Sequence, residues 1–242
     1  MSKKESAPSI QQSPSSTFFA TRENVQMAAK RAVGKYVVAN LLHEGDSILL
    51  DAGTSSYPIA EEIAKKAQDD PESTHFTIMT HNYKAFDILV RGVPREAMVN
   101  IVLAGGRYDQ DLNALFGPQT LMSYNNFFPR VTIVAVSSMV ADKGLFCHGN
   151  TEELSVKEAI FKKAARDRII IADHTKLGVP DALCFGESQL LRANVERCIL
   201  VTDSPSNHDD ETCRERFQRE VERLRNIYRI DVEPLKVNLE TG

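Results

Sequence analysis

The chain has 242 residues, 42% of them hydrophobic and 26% charged, with a formal net charge of −4. That suits one medium-sized domain with a full core, or one domain with appendages, and the acidic balance speaks against a free-standing nucleic-acid binder. No apolar run of about 18 residues exists to cross a membrane, and none follows Lys3 and Lys4 to make a secretory signal; Cys147, Cys184, Cys198 and Cys213 form no C-x-x-C or zinc spacing and read as reduced thiols of a cytoplasmic protein.

Residues 1–20, rich in Ser, Gln and Pro, read as a disordered arm, and residues 21–242 as one domain. A helix is predicted over 22–43, with Val33, Tyr36, Val37 and Leu41 on one face and Gly45 as its stop. Ser47–Leu50 reads as a buried strand running into Asp51-Ala-Gly53-Thr54-Ser55-Ser56, and Pro58 opens the next helix, continuing to Lys66. Gly53 lets a backbone come close, and hydroxyls and free N–H groups at a helix start bind anions. By itself this segment is equally a capped helix start.

Further strands are predicted at Phe76–Thr80, Val99–Ala104, Arg130–Val136, Arg168–Ala172, Cys198–Thr202 and Ile227–Val232. Helices are predicted at Tyr83–Arg91, Gly117–Tyr124, 152–167 and Glu211–Arg225, with an irregular stretch over Met139–Asn150. The alternation predicts an α/β, Rossmann-like, mostly parallel sheet with helices on both faces. There is no G-x-G-x-x-G for a dinucleotide and no G-x-x-x-x-G-K-[ST] for a P-loop, so no cofactor is expected. Five strands end in polar clusters: the Asp51 loop, Thr80-His81-Asn82, Gly105-Gly106-Arg107, Ser137-Ser138 and Asp173-His174-Thr175-Lys176. A parallel sheet carries these ends to one crevice.

Asp51-x-Gly53-Thr54-x-Ser56, Thr80-x-Asn82, Gly105-Gly106, Asp142-x-Gly144-Leu145, Glu153-x-x-x-Lys157 and Asp173-x-Thr175-Lys176 occur in that order. The series resembles the C-terminal effector-sensing domain of DeoR-type transcriptional regulators, related in fold to ribose-5-phosphate isomerase and the coenzyme A transferase group, over roughly residues 22–235. The resemblance implies binding of a phosphorylated sugar or related metabolite, self-association into homo-oligomers, and transcriptional regulation. By position, Gly53, Thr54, Ser55 and Ser56 would hold the phosphate. Asn82, Gly105 and Gly106 would line the pocket, and Asp142, Glu153, Lys157, Asp173 and Lys176 would meet the sugar hydroxyls or the phosphate; Asp51 and Thr80 complete the ligand-binding set. Such donors and acceptors suit phosphate and sugar. Glu153 and Lys157 also fit a surface i,i+4 pair that stabilises its helix by roughly 0.3–0.5 kcal/mol.

Full regulators of this type carry an N-terminal helix-turn-helix; here only the arm precedes the sensor. The chain is therefore expected not to bind an operator directly but to act through a partner, with a DNA-binding homologue as the candidate. Ser137-Ser138-Met139-Val140 also stands where regulators have a small or glycine-containing turn. The alternative is an aldose–ketose isomerase, with Asp142 or Glu153 as base and Lys157 or Lys176 as the cation. The third reading is an interaction protein that forms mixed oligomers with a full-length regulator. Cys147-His148 reads as incidental rather than metal-binding. His81 and His174 are the histidines placed in pocket loops. Lys162, Lys163, Arg166 and Arg168 read as a solvated helix face, and Tyr83, Phe86 and Ile88 as core.

Overall fold

Apolar runs flanked by polar strand ends become, in the computed structural model, one parallel sheet wrapped by helices; residues 25–148 and 150–237 are described, so the arm at 1–20 lies outside them. In chain order the elements are α1 (Met27–Asn40), β1 (Asp46–Leu50), α2 (Tyr57–Asp69), β2 (His75–Thr80), α3 (Tyr83–Gly92), β3 (Met98–Leu103), β4 (Arg107–Asp109) and β5 (Ala114–Phe116). Then come α4 (Pro118–Asn125), β6 (Val131–Ala135), β7 (Ser138–Val140), β8 (Gly144–Cys147), α5 (Thr151–Phe161) and β9 (Ala165–Ile171). The chain closes with β10 (Leu183–Glu187), β11 (Val195–Asp203), α6 (Glu211–Asn226) and β12 (Asp231–Leu235).

Seven strands pair in the order β12-β11-β9-β6-β1-β2-β3, every neighbouring pair parallel. The chain winds outward from β1 through β2 to β3, then returns to β1's other side with β6 and winds the opposite way. β1 and β6 therefore form the topological switch point of a doubly wound sheet. Their residues are apolar on both sides because both faces are covered. Ile48 and Leu50 belong to one buried cluster with Val33 and Val37 of α1, Ile59 and Ile63 of α2 and Leu89 of α3; Leu49 belongs to the cluster on the opposite face, with Tyr124 of α4, Val156 and Ile160 of α5 and Leu224 of α6. Helix α1 reaches α2 through Gly34: a Cβ there would lie 2.8 Å from backbone and side-chain carbons of Pro58.

The expected parallel α/β architecture is what forms, and several local expectations are corrected. Residues 41–43 have left α1, and 22–24 fall outside the described residues. The helix expected to 167 stops at Phe161, because residues from Ala165 onward are taken up in pairing with β11 and, from Asp167, with β6. The basic run is thus not a solvated helix face. Arg168 is fully buried and donates to the carbonyls of Phe161, Leu191 and Ala193, while Arg166 forks onto Asp46 and also binds Asp167. The last strand begins at Asp231 rather than Ile227, since Ile227 caps α6 and Arg229 turns the chain at φ 54°. The stretch over 139–150, read as irregular, contributes β7 and β8 to a three-stranded antiparallel sheet with β10. The β4–β5 hairpin has no counterpart among the expected elements. Tyr83, read as core, is 44% exposed, and Phe86 and Ile88 are half-buried.

Candidate functional site

Where β1 and β6 end, the chain diverges to opposite faces and leaves a crevice. Gly53, at φ 138°, turns the backbone into a 3-10 turn at Thr54–Ser56 that runs directly into α2, with Pro58 in its first turn. The leading N–H groups of such a start have no helical carbonyl to bind, and the helix dipole adds positive potential there. Asn82 holds this loop from the next strand end: its Oδ1 caps α3 by accepting from Ala85 N, and its Nδ2 donates to Gly53 O at 3.3 Å.

Beneath the loop lies a buried ion pair. Lys157, on α5 and 3% exposed, donates from Nζ to Asp51 Oδ2 at 2.6 Å and to Ala135 O at 2.7 Å. Asp51 accepts two more bonds, from Ala52 N at 2.8 Å and Ala135 N at 3.0 Å, and is wholly buried. Burial pushes the Asp51 carboxyl above its ordinary range, while Lys157 and the two amides pull it back. Burial acts to lower the Lys157 pKa, but Asp51 and Glu153 outweigh it, and Lys157 holds its proton more tightly than usual. This is not the exposed i,i+4 pair that Glu153 and Lys157 suggest in sequence: Glu153 Oε1 is 3.9 Å from Nζ, and Lys157's shorter partner is on β1's end.

On Asp51's other side sits His81. Burial, and then the Lys157 charge, press its pKa to about 3, so the ring is neutral. Tyr124's pKa is raised well above that of a free phenol, chiefly by burial, so its hydroxyl keeps its proton and shares a 2.5 Å hydrogen bond with His81 Nδ1. The ring's Nε2 lies 3.8 Å from Asp51 Oδ1 and has no hydrogen-bond partner among the described residues.

Above the pair opens a narrow recess of about 40 Å³ with Gly53, Thr54 and Ser55 on one side, Glu153 and Lys157 at its base, and Phe116 as an apolar wall. It shares Thr54, Ser137, His148 and Lys176 with an outer bowl of about 400 Å³. The bowl also carries Lys30, Asp173 and Asp181. Lys176 bridges the two: its Nζ is 3.4 Å from both Ser55 Oγ and Asp173 Oδ2. Asp173 also accepts from the Thr175 hydroxyl; burial would raise its carboxyl, but Lys176 and Thr175 hold it below the usual range. His148 pairs with Asp181 at 2.6 Å on the rim.

Of the residues expected at a ligand, Gly53, Thr54, Ser55, Glu153, Lys157 and Lys176 line the recess, and Asp173 lines the bowl. Asp51 and Asn82 stand behind this surface and position it. Ser56 is fully buried, and Thr80 spends its hydroxyl on Leu50 O and Asn82 N. Gly105 donates to Ser123 Oγ and accepts from Thr120 Oγ1 of α4, and Gly106 packs against Thr120 and the Phe116 backbone; neither lines the recess. Asp142 lies elsewhere on the surface, paired with Arg223 and Tyr228. His174 faces away from the recess, onto Asp203 and Asp209. Two further lining residues have no signal in the sequence: Phe116, carried by the unforeseen hairpin, and Lys30, buried on α1. His148 had been set aside with Cys147. Ser137 was visible as a strand-end residue but was not taken as a ligand contact.

A family model described as the DeoR C-terminal sensor domain matches residues 25–204. The transcriptional repressor AccR of Agrobacterium fabrum is 28% identical over 193 residues, 79% of this chain and 67% of that protein. The HTH-type transcriptional repressor GlcR of Bacillus subtilis is 24% identical over 182 residues, 74% of this chain and 60% of that one. The chain thus spans about two thirds or less of the length of these relatives. Ribose 5-phosphate isomerase A from Methanocaldococcus jannaschii aligns over 61% of this chain and 53% of its own, at 13% identity and a TM-score of 0.43. No helix among the described residues is long and apolar enough to cross a membrane.

Proposed function

Given that the chain belongs to the family of DeoR C-terminal sensor domains, we propose that it binds a phosphorylated sugar or related metabolite at the switch point and relays occupancy to transcription as an oligomer, through a DNA-binding partner. The observation that carries this is the recess itself. A helix-start loop and three hydroxyls face two lysines across a space suited to a compact anion, and the bowl beside it offers Asp173 and Ser137 to a polar remainder. The phosphate fits the Gly53–Ser55 loop, with Lys176 as the adjustable cation on the rim. Lys157 supplies fixed positive potential from below. For the isomerase alternative, Asp142 is paired with Arg223 away from the recess and Lys157 is already committed to Asp51 and Ala135 O, which leaves Glu153 as its base and Lys176 as its cation, both lining the recess.

Thermal-shift screening of triose, pentose and hexose phosphates, run with a chelator present, tests this reading. A matching phosphate at 100 times its Kd stabilises the fold by about 2.7 kcal/mol through mass action. Lys176→Ala should weaken the phosphorylated ligand by about 10–100-fold, as expected for one charge-assisted hydrogen bond, with little change for the unphosphorylated sugar. No shift with any phosphate at millimolar concentration, or equal losses for both sugars, would overturn it.

A further inference from the structure

A second cluster of chemistry-bearing side chains lies on the other side of the Asp173–Lys176 turn, outside the recess. His174 Nε2 is 3.3 Å from Asp209 Oδ1, and Cys213 Sγ completes a trio whose ligand atoms all lie within 4.8 Å of one another. Donor atoms around a tetrahedral zinc stand about 3.3–3.8 Å apart, from bond lengths of about 2.0–2.3 Å. The His174–Asp209 spacing already meets that, and a small side-chain adjustment brings in the sulfur.

Each ligand is held by a further contact. Asp203 takes both His174 donors, Nδ1 at 2.6 Å and the backbone N at 2.7 Å, which fixes the ring and turns Nε2 toward Asp209. This is the carboxylate–histidine arrangement that supports metal-bound imidazoles. Asp209 Oδ2 accepts from Ser206 N at 2.7 Å and Ser206 Oγ at 2.9 Å, leaving Oδ1 for His174. Cys213 sits in the first turn of α6, its N–H bound to Asp210 Oδ1, and Arg216 donates to its sulfur at 3.6 Å, which fixes where the sulfur lies; burial outweighs Arg216, so the group holds its proton more firmly than a free thiol. His174, Asp209 and His208 line a cavity of about 160 Å³ beside the trio, with room for a fourth ligand.

We propose that His174, Asp209 and Cys213 form a site for a borderline transition-metal ion, Zn²⁺ being the best match to one imidazole, one carboxylate and one thiolate, with an open fourth position toward the His208 cavity. Binding releases two protons to solvent, one from the Cys213 thiol and one from His174 Nε2, and the ion takes the latter's place between His174 and Asp209. The ion ties the turn after β9 to α6. Because that turn also carries Asp173 and Lys176, metal loading stiffens one wall of the bowl.

The site stands apart from the effector reading and is tested without any sugar phosphate. The full chain is stripped with chelator, dialysed, and titrated with Zn²⁺ by calorimetry and with Co²⁺ by absorption. The expected result is one equivalent bound, with a thiolate-to-cobalt charge-transfer band in the near ultraviolet. Cys213→Ser should abolish the band, and both it and His174→Asn should cut Zn²⁺ affinity at least about tenfold. Should a variant fail to fold, the charge-transfer band of the wild-type chain still decides. No stoichiometric binding, a Co²⁺ spectrum lacking that band, or a band surviving in Cys213→Ser overturns the proposal and leaves the cluster as a hydrogen-bonded clasp.

Discussion

Replacing Lys157 with methionine keeps most of its volume and removes only its charge and donors. Asp51 then loses its 2.6 Å partner while remaining walled in, with two backbone amides still bonded to it. Ala135 O also loses its donor at the switch point. Breaking one side of a buried pair costs about 3–5 kcal/mol, because the surviving charge has no water to replace its partner. For a chain of this length each kcal/mol moves the midpoint by roughly 2–4 °C, so Lys157→Met should melt about 6–20 °C lower. Adding Asp51→Asn removes the stranded charge, and the double variant should regain more than half of the loss. Calorimetry and urea unfolding of the two singles and the double close the cycle. A single-variant loss below about 1 kcal/mol, or strictly additive effects, would show that this pair does not organise the crevice.

Two further perturbations probe the frame around the site. Burial would raise the Asp167 carboxyl, but Arg197 and Arg166 outweigh it and hold it below the ordinary range. Its stabilising contribution is therefore complete above about pH 3.9, the unfolded value, and is lost as pH falls through the lower folded value. Urea unfolding between pH 2 and 6 should show this acid limb shrinking in an Arg166→Ala/Arg197→Ala double variant, and an unchanged limb would refute the assignment. Gly34→Ala adds a methyl where Pro58 stands 2.8 Å away. Despite alanine's better helix propensity it should destabilise by about 1–3 kcal/mol; a stabilised variant would mean α1 and α2 separate freely.

The centre of the sheet was legible because strands buried on both faces are near-continuous apolar runs, as β1, β6, β9 and β11 are, whereas the edge strand β12, Asp-Val-Glu-Pro-Leu, carries no such run. The small antiparallel sheet and the hairpin were not, since β4, β5 and β7 are three residues each and sit among turn-like residues with no period to read. Convergence of strand ends correctly pointed to one edge. It could not say which polar residues face a cavity and which brace the backbone. Thr80 and Asn82 have the composition of ligand contacts, but their side chains bond to the backbone of β1, α3 and the Gly53 loop. Gly105 and Gly106 met a packing need against α4, and Asp142 was drawn to Arg223 by charge on a surface that chain order does not reveal. Arg168 ran the opposite way, an exposed-looking residue buried whole because backbone carbonyls surround its guanidinium.

The crevice is also late to exist. Asp51 is bonded to a residue 84 positions ahead on β6 and to another 106 positions ahead on α5. A chain growing from its N-terminus can pair β1 with β2 and β2 with β3 early, yet it has no completed pocket until α5 has been made and docked. Contacts of such long sequence separation slow folding and leave the open side of β1 exposed to wrong partners in the meantime. A ligand that needs both halves of the switch point cannot template the early stages; it rewards only the finished chain. Metabolite supply would then govern how long the mature fold persists, and leave the rate at which it is first reached untouched.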